Sequence, residues 1–421
     1  MFQFLSGAWA LLLGMGLLTL GNGVQSTLLG IRGQIEGFST FEMSLIMSAY
    51  FLGFLGGSRM APEMIRRVGH VRVFAALASF ISAVIIIYPT FADPTVWFLC
   101  RVIIGFCFSG VYVTAESWLN NAATNETRGQ ALSLYVIVQM IGVIAAQAIL
   151  VTADPSGFVL FVIPSVLVSI SFAPILLSIS PTPAFDATKP MSLRELVNTS
   201  PLGTAGMFLL GGVFAAQFGM SAVYGASIGL SVVEISIFVA SFYVGATVIQ
   251  YPLGWLSDRM DRRLLIMAAG LIGGIGAILG IMFGQHYAML LVAATLIGGF
   301  ANPLYSLLIA HTNDFLEHED MAAASGGMVF INGLGAIAGP VLTGWMMSAF
   351  GSSGYFLFLA ILMLAIAAYA SYRMTRRPAV AVEDTSTYAY VTPTSSPIAV
   401  EVAQEFAIET ALEEEEAEST H

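Results

Sequence analysis

Charge is what this chain has least of. Asp, Glu, Lys and Arg make up 10% of its 421 residues, where a soluble protein carries about a quarter. Hydrophobic residues make up 57%, and the mean hydropathy is +0.84. So little charge excludes a water-soluble globular domain; the main solvent of such a chain is lipid. Basic residues number 15 and cluster nowhere beyond short loops, which excludes a nucleic-acid-binding face. Cysteine is nearly absent. Cys100 and Cys107 lie seven apart on one predicted helix, ~10.5 Å along its axis and too far for a disulfide between them. The opening "MFQFLSGAWALLLGMGLLTL" lacks the basic n-region and small-residue cleavage site of a signal peptide, so it is read as a retained first span.

The net charge of −11 belongs to one end of the chain. Residues 378–421 contain ten acids and no Lys or Arg, leaving 16 acids against 15 bases before them. This stretch ends in "ALEEEEAESTH" and is introduced by the turn-rich "TSTYAYVTPTSSP". Like charge and low hydrophobicity make residues 376–421 an expected acidic, disordered tail.

What the chain does have is long apolar runs. Twelve segments of the ~20 residues that a spanning helix needs can be placed between residues 6 and 373. The longest polar break, residues 181–202, separates six spans in residues 1–180 from six in residues 203–375. With both termini on the cytoplasmic side, thirteen of the fifteen basic residues fall in inner loops or at inner ends. Only Arg32 then lies outside and Arg101 within a span, as the positive-inside rule favours. The halves repeat at an offset of 192. "EMSLIMSAYFLG" (42–53) overlies "EISIFVASFYVG" (234–245) without a gap, and Gln25 overlies Gln217. Ser39-x-x-Glu42 overlies Ser231-x-x-Glu234, and both read as capping boxes. Two repeated bundles of six spans around a midplane site are a transporter design.

Motifs carry the comparison further. "GWLSDRMDRR" (254–263) resembles the G-x-L-x-D-R-x-G-R-R/K loop signature of the major facilitator superfamily, with Asp261 in place of the second glycine. The equivalent loop of the first half, "PEMIRRVGHVR" (62–72), keeps Gly69 but has Pro62 for the first glycine and Arg66 for the aspartate. "RVIIGFCFSG" (101–110) is similar to the fourth-helix R-x-x-x-G signature, and "ETRGQAL" (126–132) to the loop before the fifth helix. The likeness covers residues 1–375, and "NPLYSLLIAHTND" narrows it towards a bacterial YcaD-like branch. The fold it implies is an all-α integral membrane protein, twelve transmembrane helices in two pseudo-symmetric six-helix bundles. It implies a multi-pass protein of the bacterial inner membrane that moves a small solute by alternating access, and the expected state is a monomer or a weakly associated one.

Two residue sets follow. Spans one, four, seven and ten line the family's cavity, and each carries polar residues near mid-depth. Asn22, Gln25, Arg101, Tyr112, Gln217, Tyr224, Asn302 and Tyr305 are the candidate cavity residues. Arg101 is the sharpest, since an arginine inside a span costs roughly 2.5–3.5 kcal/mol and usually faces a cavity or a partner. The alternative for it is a snorkelling brace, and for the amides and hydroxyls interhelical packing. A charge network is the second set: Asp258, Arg259, Arg262, Arg263, Arg66, Arg67, Glu116, Arg128 and Asp314. The resemblance implies that it latches the inner face, one cluster per half. Nothing in the chain asks for a cofactor. His311, Asp314 and His318 have tolerable metal spacing but lack a fourth ligand. No acid lies deep in a span, so coupling to protons stays open. Rival readings are a sensor or scaffold acting through the acidic tail, and a membrane-embedded enzyme, for which no nucleophile–base set is visible.

Overall fold

The computed structural model describes residues 2–122, 125–177 and 191–376, with 378, 380, 385, 388, 390–393, 396, 399, 400 and 403; side chains of 2–8, 121–129, 318, 319 and 322 fall outside that description. Among the described residues all regular structure is helical. Twelve helices are long and apolar enough to cross a membrane: α1 Trp9–Ile35, α2 Thr40–Val68, α3 His70–Thr90, α4 Pro94–Asn120, α5 Gln130–Leu150, α6 Val159–Leu177, α7 Pro201–Ser227, α8 Val232–Ser257, α9 Arg262–Phe283, α10 Tyr287–Asn313, α11 Ala323–Phe350 and α12 Gly354–Met374. The expected capping boxes start α2 and α8: the Ser39 and Ser231 amides each donate to Glu42 and Glu234 at 2.8 Å. A third box, Ser192 with Glu195, heads a short linker helix, Leu193–Thr199, that the sequence reading passed over.

The repeat is visible in the packing. In the first half α2 packs on α4, α3 on α4 and α6, and α1 on α5 and α6. In the second, α8 packs on α10, α9 on α10 and α12, and α7 on α11 and α12, the same pairings six helices later. Glycine sets the closest crossings. A Cβ on Gly53 would overlap the Val102 carbonyl, and one on Gly105 the Tyr50 carbonyl; Gly245 against Thr295 and Gly298 against Phe242 repeat the arrangement. Small residues let backbones approach where lipid supplies no hydrophobic drive between helices. Gly335 and Gly339 do the same for α11 against α7.

Alternate helix ends define two faces. The ends of α2, α8 and α12 carry Arg66, Arg67, Arg259 and Arg373, which makes one face arginine-rich. On the opposite face the halves touch directly through small residues. Gly30 of α1 lies against Ala222 of α7, Gly219 against Met47, and Gly344 of α11 against Ser44 of α2. The Ser48 hydroxyl donates to the Ile337 carbonyl at 2.5 Å.

Candidate functional site

Arg101 is wholly buried on α4. Its neighbour in the R-x-x-x-G motif explains the setting: Gly105 admits the α2 backbone, and that approach brings the guanidinium carbon over the Tyr50 ring, 4.8 Å from the ring centroid. Nη1 donates to Gln25 Oε1 at 3.1 Å, and Nη2 approaches the Met47 sulfur at 3.4 Å. Nε has no hydrogen-bond partner, nor does the Gln25 amide nitrogen. Among the described residues no carboxylate pairs with Arg101. A buried guanidinium held only by a neutral amide, a thioether and a ring retains unspent attraction for an anion or an oxygen acceptor.

Close by, Asn22 Nδ2 reaches the Tyr50 and Tyr112 hydroxyls at 3.4 and 3.5 Å. Tyr50 and Met47 were missed at the level of sequence; an aromatic at the ninth position of the repeated segment was the available sign. Tyr50 also touches Phe218 of α7, with centroids 5.6 Å apart, so the cluster reaches the seam between the halves. On the other side of that seam α7 loosens into a π-helical turn, Ala216–Met220, of the kind frequent at functional sites. It carries Gln217, whose Oε1 accepts from Asn302 Nδ2 at 3.5 Å while its own amide nitrogen finds no partner. Gln25 and Gln217, equivalent in the repeat, thus each bury a free amide donor. Tyr305 is buried on α10 with its hydroxyl unpartnered. Tyr224 lies apart from the rest, stacked on Tyr355 at 4.9 Å and edge-on to Phe356 within the second half.

The charge residues do not form one network but fall into separate local arrangements. Arg262 is the centre of the second-half cluster: it pairs with Asp314, donates to the Ala310 carbonyl and Ser257 Oγ at 3.1 Å each, and stands 3.8 Å from Asp258. Arg262 and Asp314 are both nearly fully buried. Arg263 instead grips Asp261 at 2.8 Å, and Arg259 lies over the Trp255 ring at 4.4 Å. Asp261, read as a departure from the loop signature, is the N-cap of α9 and accepts from the Arg263 amide at 3.0 Å. In the first half, Arg66 and Arg67 are exposed and pair with Glu63 of their own helix at 2.7 and 2.6 Å. Glu116 is buried beside Tyr135, whose hydroxyl donates to it at 3.0 Å. The side chain of Arg128 lies outside the described residues.

The other partner of Glu116 comes from the end of the chain: the Ser396 amide donates to Oε2 at 2.9 Å. Nearby described residues of the same stretch sit between the halves. The Tyr388 amide donates to Asp258 at 2.9 Å, and Val391 exchanges two hydrogen bonds with Ser306 of α10, at 2.9 and 3.1 Å. Val391, Thr392, Ser396, Ala399, Val400 and Ala403 are all buried. Most of residues 376–421, the expected disordered tail, lie outside the description.

Comparison with known proteins agrees with this geometry. The family model described as Major Facilitator Superfamily matches residues 11–227 and again residues 202–398. The uncharacterised MFS-type transporter YcaD of Salmonella arizonae is 25% identical over 354 residues, covering 83% of this chain and 91% of that protein. YcaD of an Escherichia coli O6:K15:H31 strain is 27% identical over 359 residues, with the same coverage. Among solved structures, the nucleoside transporter NupG (a D323A mutant) superposes with a TM-score of 0.71 at 15% identity, covering 86% of this chain and 99% of that one. A bacterial homologue of the human lysosomal transporter Spinster, inward-facing and unoccupied, gives 0.69 at 15%, covering 96% and 97%. Twelve spans, a helix pairing repeated between the halves and a match to each half lead to one assignment: the chain belongs to the major facilitator superfamily, a multi-pass membrane protein resembling the YcaD transporters.

Proposed function

We propose that the protein is a secondary transporter of the bacterial cytoplasmic membrane, with both termini cytoplasmic, that moves a small solute by alternating access. The observation that carries this reading is Arg101, fully buried, without a carboxylate partner among the described residues, and linked through Tyr50 to the seam between the halves. Asn22, Gln25 and Tyr112 in the first half, with Gln217, Asn302 and Tyr305 in the second, complete a polar set on α1, α4, α7 and α10. The free amide donors of Gln25 and Gln217 and the spare Arg101 Nε ask for acceptor oxygens. A solute bearing a carboxylate or phosphate suits that donor excess best. Motion about the seam is served by the contrast between the faces: small-residue contacts on one, side chains and the chain's end on the other. The arginine count supports the orientation, because the basic loops face the cytoplasm under the positive-inside rule.

The test is transport by purified protein in liposomes, screened against small carboxylates, phosphates and matched neutral solutes, with and without a pH gradient. Uptake or thermal stabilisation by an anionic class, abolished by Arg101→Gln, is the expected result. Preference for neutral solutes with Arg101→Lys fully active would remove Arg101 from the binding role. Failure of every solute would count against transport itself.

A further inference from the structure

We propose that the described tail residues, Tyr388, 390–393, Ser396, Ala399, Val400 and Ala403, form an internal plug, a part of the chain that occupies the cytoplasm-facing half of its own transport path and holds the protein shut. The inference rests on the transport reading for its consequence, but the plug stands on contacts of its own. The tail passes a groove of ≈540 Å³ between α5 and α8, whose walls include Met140, Gln250 and Trp255, with Tyr388 and Tyr390 along it. A Cβ on Gly254, the leading glycine of the loop signature, would come within 2.8 Å of the Tyr388 ring, so that glycine is the seat of the tyrosine.

Beyond the groove the segment is bonded rather than merely packed. Acceptors on three separate elements take its backbone amides: Asp258 after α8 takes Tyr388, Ser306 on α10 takes Val391, and Glu116 on α4 takes Ser396. A peptide chain can enter an apolar bundle only if its amides find such partners. The acceptors belong to both halves, so the segment ties together, on the arginine-rich face, the two bodies that must separate in the cycle. Pro393 closes one side of a cavity between α2, α7 and α11 that also touches Tyr50, Phe218 and Asn332, and only ≈30 Å³ is left there, room for a water or two and not for a solute. Val400 and Thr392, at 0% and 1% exposure, show that the chain is inside the protein and not laid across its rim.

The experiment reads access directly. A thiol placed on the cavity wall by Ser58→Cys in the full-length protein is reacted with a charged maleimide; the native Cys100 and Cys107 are buried. Two full-length release variants are compared with it: Val391→Pro with Val400→Asp in the tail, and Ser306→Ala on the bundle. Both are expected to raise the labelling rate roughly tenfold or more, about what losing one or two net backbone hydrogen bonds gives. A synthetic peptide of residues 386–404 added to the tail variant is expected to return the rate towards that of the unaltered tail. Equal rates in all three proteins, or a peptide without effect, would overturn the plug. Liposome transport is measured in parallel. Faster transport by the release variants supports autoinhibition, transport with unchanged labelling discards the plug alone, and altered labelling with no transported solute discards the transport reading alone.

Discussion

Arg101 and Asp261 show opposite uses of a charged side chain. The surroundings of Arg101 solvate its charge incompletely, and a buried ion without a counter-ion is a net cost to folding. Replacing it by glutamine is therefore expected to leave the melting temperature of the purified protein equal or higher while solute binding is lost. A variant that melts well below the parent would make Arg101 a structural brace instead. Asp261 works for the fold. Burial pushes its carboxyl up, but the hydrogen bonds from the Arg263 side chain and amide prevail and hold it below its ordinary 3.8. A carboxylate depressed in this way contributes stability that is present above the unfolded value and lost as pH falls through the folded one. Asp261→Ala is expected to cost about 1 kcal/mol, the worth of an N-cap, at neutral pH, with the difference closing below pH ~4; denaturation at two pH values checks it.

Glycine placement governs the helices. Gly53 and Gly56 stand three residues apart on α2, yet only the first meets backbone: a Cβ at Gly53 overlaps the Val102 carbonyl, whereas one at Gly56 makes ordinary contact with Phe106 at 3.7 Å. Gly53→Ala should therefore force α2 off α4 and cost about 1–3 kcal/mol, the usual price of overpacking, while Gly56→Ala is neutral; yields and melting of the two variants decide it. Much at this scale was legible beforehand. The 192-residue repeat announced that the helix pairing of the first half recurs in the second, and S-x-x-E marked the starts of α2 and α8. Asp261 was readable too, as an Asp before a helical run, but the loop signature drew attention to a missing glycine. The contacts of Tyr50 and the Ser306–Val391 exchange were not readable, because they depend on which parts of the chain meet across 50 to 85 residues. The surroundings of Tyr224 were unreadable for a related reason: its place in the repeat says nothing of the Tyr355 ring that stacks on it.

For the molecule as a whole, the two halves carry unequal charge clusters on the arginine-rich face. Arg66 is 70% exposed and pairs along its own helix, a contact worth under about 1 kcal/mol. The Arg262–Asp314 pair is buried, joining the start of α9 to the end of α10. Removing one member of a buried pair costs about 3–5 kcal/mol. Asp314→Asn, and to a lesser degree the more exposed Asp258→Asn, should thus impair folding or cycling far more than Arg66→Ala. Equal melting and equal transport across the three would refute the asymmetry. The loop signature carried this much in sequence, since its aspartate survives in one half only. It could not say that Glu116, expected to meet arginines, would be met by Tyr135 and by the Ser396 amide.

That last contact has a consequence for how the protein is made. Ser396 bonds a residue 280 positions earlier, and the segment around it is translated after every membrane span. Elongating at ~5–20 residues per second, a ribosome completes the twelve spans before the residues that lie between them on the arginine-rich face are free to fold back. If the plug holds, the newly inserted protein is expected to have that side open, and its closing is expected to follow insertion of the last span as a separate maturation step.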